Sequence, residues 1–253
     1  LRFCHYVFLL EPPRTQYDVN FALAGVPVRV HPLFWLVTIL LGASHDAKPA
    51  DVLLWVGAVF ISILVHEFGH AVMIRYYGWR PRIILHSLGG LAAYEPTWHR
   101  TWPQVAISFA GPAAGFLLAA LVALAIRLAG HEVQLDWKDP FPLPIRFELF
   151  RATNLNRFIV DLFFVNIFWG GINLLPIYPL DGGHISQEVL NHYNPATGTR
   201  QSLRLSIFTA VGMGLVMLAK LEDYWLALFF GLFAYMNYQA LQQYDDRFGG
   251  RGW

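Results

Sequence analysis

The sequence predicts an all-α polytopic membrane protein, with about six transmembrane helices and a short membrane-associated β-hairpin. Three observations predict it. Hydrophobic residues make up 56% of the 253 and charged residues only 14%, against roughly 45–50% and 25% in soluble domains. About six stretches approach the roughly 20 apolar residues that cross a bilayer core of about 30 Å. One of them, from Val52 to Val72, contains His66-Glu67-Phe68-Gly69-His70, a concentration of ionisable groups in a setting that tolerates few.

Taken in order, the predicted spans lie at 28–44, 51–77, 103–129, 157–180, 202–220 and 223–242. The first is bounded by Arg29, His31 and Pro32 on one side and Ser44-His45-Asp46 on the other, which makes it short or tilted. Trp55, Trp79, Trp102, Trp137 and Tyr224 fall near proposed ends, where aromatic rings favour the headgroup region. Between the second and third spans, residues 82–94 (RIILHSLGGLAAY) read as two short strands around Gly89-Gly90. The connection at 130–156, with Pro140, Pro142 and Pro144, reads as an interfacial loop or an ordered extramembrane one. The whole chain, 1–253, is read as a single membrane domain with its core at about 51–190.

Net charge is +1, which leaves no basic face for nucleic acid. Cys4 stands alone, excluding an internal disulfide framework or a thiolate zinc site. Leu1 to Leu10 is too short and lacks the cleavage site of a secretory signal. With the N-terminus inside, eleven Arg fall on the cytoplasmic side and seven Lys or Arg on the other. That bias favours both termini in the cytoplasm.

His-Glu-x-x-His on a helix places two imidazoles one turn apart on one face, where they can bind zinc beside a glutamate able to activate water. Two histidines need at least one more protein ligand, with one position left open. Asp161, near the start of the fourth span, could be a simple interfacial residue. Asp181 lies in a different setting, after Pro176 and Pro179 and before Gly182-Gly183. The prolines break the helical ladder and the glycines allow a sharp turn, and unwound backbone at membrane depth needs protein or a wet cavity around it. The second and fourth predicted spans run in the same direction. His66 stands about 15 residues, or roughly 23 Å, along its span, so both motifs belong near the same membrane face.

VHEFGHAVMIRYYG, then LGGL, then SFAGPAAG, then NLLPIYPLDGGH resembles the site-2 protease family of intramembrane zinc metalloproteases, over about residues 55–190. The resemblance implies one zinc ion per chain, held by His66, His70 and Asp181, with Glu67 as catalytic base. It implies that Asn173 assists at the substrate carbonyl, and that Leu88, Gly89 and Gly90 belong to a hairpin beside the active site that could pair with an extended substrate. It further implies cleavage of transmembrane-helix substrates in the lipid bilayer, with the active site toward the cytoplasmic side and a regulatory membrane partner possible. The chain is read as a compact member without PDZ or nucleotide-sensing domains. Gly115 and Tyr178 depart from the family pattern, which often has Asn and Pro there.

Two rival readings use the same residues: a metal or ion transporter with an intramembrane His/Asp site, and a non-proteolytic relative that binds transmembrane helices. Glu67 argues against both, since neither needs a base beside two ligands. His184 and His86 read as surface or interfacial residues, and His31, His45, His99, His131 and His192 as solvated ones. Gly111-Pro112 with Gly115, and Gly212 with Gly214, read as close helix-packing points.

Overall fold

A computed structural model describes residues 11–43, 48–87, 89–135, 144–221 and 224–248. The chain divides into two compact units, Leu1–Trp98 with Ala110–Gly170, and His99–Phe109 with Gly171–Trp253.

The first unit combines a four-stranded sheet with long helices. Strands β1 (Val19–Leu23) and β2 (Val26–Val30) form a hairpin closed by Ala24 and Gly25. Both closing residues have positive φ, 46° and 76°, as the two-residue turn that matches strand twist requires. The chain then crosses over through α1 (Pro32–Gly42) and α2 (Pro49–Tyr76), so that β3 (Arg82–His86) returns parallel to β2. Strand β4 (Gly89–Ala93) pairs antiparallel with β3, giving the order β1-β2-β3-β4. Val26, Val28, Val30, Ile83 and Leu85 pack with Phe34, Val59, Ala71 and Val165 into one buried cluster, which seats the sheet on the helices. Arg29 is buried and pairs with Asp18 at 3.2 Å and Glu11 at 3.3 Å, tying the segment before β1 to the sheet.

Helix α2 starts on Pro49, whose missing N–H is one a first-turn residue does not need. It ends where Gly78, at φ 88°, turns the chain so that Trp79 N–H bonds back to Ile74 O. Helix α3 (Thr101–Leu128) follows, then a ribbon of β5 (Val133–Leu135) and β6 (Ile145–Phe147), then α4 (Thr153–Asn173). Within α4 the turn Phe164–Trp169 is π-helical.

In the second unit a tight loop leads from α4 to α5 (Asp181–Tyr193). Helix α6 (Gly198–Val216) continues as a π-helical turn, Met217–Leu221, and α7 (Tyr224–Phe248) packs along it. Phe230 and Ala210 are fully buried between them.

Four of the described helices are long and apolar enough to cross a membrane: Pro49–Tyr76, Thr101–Leu128, Thr153–Asn173 and Gly198–Ala219. Many of their large apolar side chains are exposed, among them Leu53, Leu117, Leu121, Leu124, Phe208 and Leu215. Such a surface suits an integral membrane protein, because water would penalise it.

The predicted span at 28–44 is different in the structure. Its first residues are the end of β2, and Pro32 opens an 11-residue helix, about 16 Å long and roughly half a bilayer core. The last predicted span, 223–242, is helical from Tyr224 on, within α7, but Asn237, Gln239 and several tyrosines keep it out of the apolar set. The fourth span ends at Asn173 and not at 180, because the prolines release the chain before Asp181. Gly89 and Gly90 are not the turn of the β3–β4 hairpin. They are its returning strand, paired with His86 and Leu85. The loop at 130–156 carries β5 and β6, and Trp137, Pro140 and Pro142 lie outside the described residues.

Candidate active site

His66, Glu67 and His70 stand on α2, in the first unit. The helix has no proline beyond its first turn, so its hydrogen-bond ladder carries the motif without interruption and sets the imidazoles one turn apart. Their Nε2 atoms are 3.2 Å from each other, and the rings meet edge to face with centroids 4.9 Å apart. Two nitrogens bound to one tetrahedral zinc at about 2.0–2.1 Å would be separated by about 3.4 Å. The pair therefore fits a shared metal ion with almost no rearrangement. His70 and Glu67 are buried.

Glycine makes this arrangement sterically possible. A β-carbon at Gly111 of α3 would overlap the His70 imidazole and stand 2.7 Å from His66 Nε2. One at Gly69 would overlap Ala110 O and stand 2.7 Å from Ala114 Cβ. The SFAGPAAG segment thus lets α3 run close along the histidine face of α2, with Gly111 opening the space the imidazoles occupy.

The sheet reaches the same motif. A β-carbon at Gly90 would overlap the Glu67 side chain at Cγ and stand 2.5 Å from Oε1. Strand β4 therefore passes directly over the carboxylate. Gly89, beside it, has φ 123°, a conformation that side-chain-bearing residues rarely adopt. Leu88 lies outside the described residues.

The second unit presents Asp181 and Asn173. Asn173 is the last residue of α4, and Asp181 opens α5 after the extended Leu180. A carboxylate in the first turn of a helix is favoured by the unpaired N–H groups there. The connecting loop is wound tightly on that turn. A β-carbon at Gly182 would overlap Leu174 O, and one at Gly183 would overlap Tyr178 N and Ile177 C. Ile177 is wholly buried, and the Tyr178–Pro179 peptide bond is cis. The two glycines act through space, since neither has positive φ. His184 packs edge-on against Tyr178, with ring centroids 4.9 Å apart.

Several polar residues have partners that sequence reasoning did not find. Asn166, in the π-helical turn of α4, donates from Nδ2 to Ser62 Oγ at 2.7 Å and to Leu162 O at 2.8 Å. Ser62 lies one turn before His66. The Asn166 Oδ1 atom would be 3.2 Å from a β-carbon at Gly115, so Asn166 fills the space that a side chain at position 115 would enter. An asparagine within an apolar helix was the available signal. Asp161 is buried in α4, with Oδ2 lacking a hydrogen-bond partner among the described residues.

Two histidines read as solvated or superficial are buried, and a third, His99, is exposed as expected but pairs with an acid. His31 is buried and caps α1, its Nδ1 accepting from Leu33 N–H. His86 is buried in β3, and that burial, with the nearby His31 and Arg29, holds its imidazole below the ordinary histidine value. His99 pairs with Glu188 at 3.1 Å, and burial raises the Glu188 carboxyl despite that partner.

The profile of peptidase family M50 matches residues 55–219. The chain is 23% identical to a zinc metalloprotease of Methanocaldococcus jannaschii over 78% of its own length and 52% of that protein's. It is 29% identical to stage IV sporulation protein FB of Bacillus subtilis, over 62% of this chain and 46% of that one. The chain spans about half the length of the curated relatives it matches. Among solved structures, the site-2 protease from Methanocaldococcus jannaschii shares its fold, with a TM-score of 0.56 and 22% identity, covering 89% of this chain and 95% of that one.

Proposed function

The chain belongs to peptidase family M50, and from that membership we propose that it is an intramembrane zinc metalloendopeptidase, hydrolysing peptide bonds within or near the transmembrane segments of membrane proteins. The observation that carries this reading is the pair of imidazoles at 3.2 Å, with the Glu67 carboxylate between them in sequence and beneath Gly90. His66, His70 and Asp181 each offer one donor atom. Two imidazoles and a carboxylate are the donor chemistry of a catalytic zinc that keeps a fourth position open. When bound, zinc supplies Lewis acidity and water activated near neutral pH.

The remaining steps belong to the chain's own groups. Glu67 takes a proton during attack on the peptide carbonyl and returns it to the leaving amine. Asn173 donates to the carbonyl oxygen as negative charge develops there. A transmembrane helix hides its peptide bonds in its own ladder, so the substrate segment must be extended when it is cleaved. Strand β4 is last in its sheet, and its outer edge offers backbone groups to an added strand, with Gly89 and Gly90 bringing that strand close to Glu67. Arg75, Arg80 and Arg82 follow the zinc motif, which favours the cytoplasmic side for this end of α2.

The test is cleavage of a purified single-span substrate by the zinc-loaded protein and by Glu67→Gln. We expect cleavage by the first, none by the second, and equal zinc content in both. Equal zinc with no cleavage by either protein, or equal cleavage by both, would overturn the reading.

A further inference from the structure

Helices α6 and α7 each bury a polar side chain against the loop that precedes Asp181. Ser206, fully buried on α6, accepts a hydrogen bond from Tyr178 N–H at 3.0 Å. Asn237, 1% exposed on α7, donates from Nδ2 to Tyr178 O at 2.6 Å. Both backbone polar atoms of one residue are therefore held by side chains from two different helices. We propose that Ser206 and Asn237 are positioning residues that fix Asp181 for metal binding by clamping Tyr178, three residues upstream. The inference rests on the assignment of Asp181 as a ligand.

Three features make the clamp more than routine satisfaction of backbone groups. First, the path from Tyr178 to Asp181 is stiff. Pro179 restricts its own φ, Leu180 N–H bonds back to Ile177 O at 2.8 Å, and Gly183 sits so tightly on Ile177 and Tyr178 that a β-carbon would overlap them. A displacement at Tyr178 must therefore reach the first turn of α5.

Second, the amide of Asn237 is committed to this task. Its Nδ2 also donates to Phe233 O at 2.8 Å, anchoring the side chain to its own helix, while Oδ1 is buried with no hydrogen-bond partner among the described residues. The reverse amide orientation would place oxygen against both carbonyls, so the hydrogen-bond pattern fixes the orientation. An orphaned buried acceptor is costly, and the arrangement accepts that cost to keep two donors on two carbonyls.

Third, a polar side chain on an apolar helix, as Ser206 is on α6, is expensive unless it serves a partner. Here the partner is the broken backbone that such helices can tolerate only when it is satisfied by protein.

The test uses the full chain purified in detergent, with zinc affinity measured by chelator competition and the ligand field read from the visible spectrum of the cobalt-loaded protein. Ser206→Ala and Asn237→Leu should each weaken zinc binding by about 10–100-fold, the range typical of residues that orient a ligand, and should shift the cobalt bands. Asn237→Ser, which keeps one donor, should recover part of the affinity and covers the case in which the leucine variant does not fold. The control is Ser202→Ala. Ser202 is equally buried one turn earlier on α6 but pairs with Ser186, so its loss should leave affinity and spectrum unchanged. Wild-type affinity and spectrum in the clamp variants, alongside weakened binding in Asp181→Ala, would overturn the clamp alone. Unchanged zinc binding in Asp181→Ala would overturn the ligand assignment and the clamp with it. An equal loss in Ser202→Ala would reduce the effect to general packing and also overturn the proposal.

Discussion

Gly90 lies against Glu67 so closely that a β-carbon at position 90 would overlap the glutamate side chain. The strand and the proposed base are thus a single steric unit. Gly90→Ala should push the carboxylate away from its position without touching either imidazole. We expect peptide cleavage to fall by about 100-fold or more, the scale of a misplaced catalytic group, with zinc content unchanged. Activity within a few-fold of wild type would show that Glu67 can work from a displaced position.

Gly111 supplies the complementary case. Its missing side chain leaves room for His66 and His70 together, so Gly111→Ala should disturb the metal site itself. Zinc affinity should drop by at least about tenfold, as expected when an outer contact no longer orients a ligand, and activity should recover in part with excess zinc. Gly90→Ala should show no such recovery. Titrating both variants with zinc while following cleavage separates the two effects.

The metal motif was legible because its spacing alone sets two imidazoles on one helix face, and burial in an apolar helix leaves few other uses for them. Asp181 was legible as a candidate ligand from the prolines and glycines around it. What those glycines do was not. Gly89-Gly90 looked like a turn, but Gly90 is a strand residue kept small by Glu67, a neighbour more than twenty positions away. The first predicted span failed for a similar reason. Val28 and Val30, at its start, alternate along a strand that pairs with both β1 and β3, and the apolar residues of that strand run on into those of an 11-residue helix. Asn166 carried a signal, as an asparagine within an apolar helix, but its pairing with Ser62 did not, because that lies in a hydrogen bond across 104 positions.

His86 gives the sheet a dependence on pH. Burial, with His31 and Arg29 close by, lowers its pKa in the folded protein below the value of about 6.5 expected when unfolded. Between the two values the unfolded chain binds more protons, so stability is fully present above about pH 6.5 and is lost as pH falls from there. The loss is at most about 1.4 kcal/mol per pH unit for one proton. Thermal unfolding of wild type and His86→Gln from pH 8 to pH 5 should converge in slope above 6.5 and diverge below it. Parallel curves throughout would remove His86 as the source.

Asn166 and Gly115 make a reciprocal prediction. Asn166 Oδ1 stands where a β-carbon on residue 115 would crowd it at 3.2 Å, so Gly115→Asn should overpack the site and destabilise the protein by about 1–3 kcal/mol. Asn166→Gly alone should also destabilise, because Ser62 loses its donor and a cavity opens. Combining the two removes the collision and returns an amide to the same space, now from α3. The double variant should therefore be more stable than the sum of the single changes implies, by a coupling of up to about 1.7 kcal/mol, the upper end for polar pairs between membrane helices. Cleavage should follow the same order, since Ser62 holds α2 one turn before His66. A strictly additive cycle would mean that the two positions do not share that space, and that α2 is held at Ser62 by packing alone.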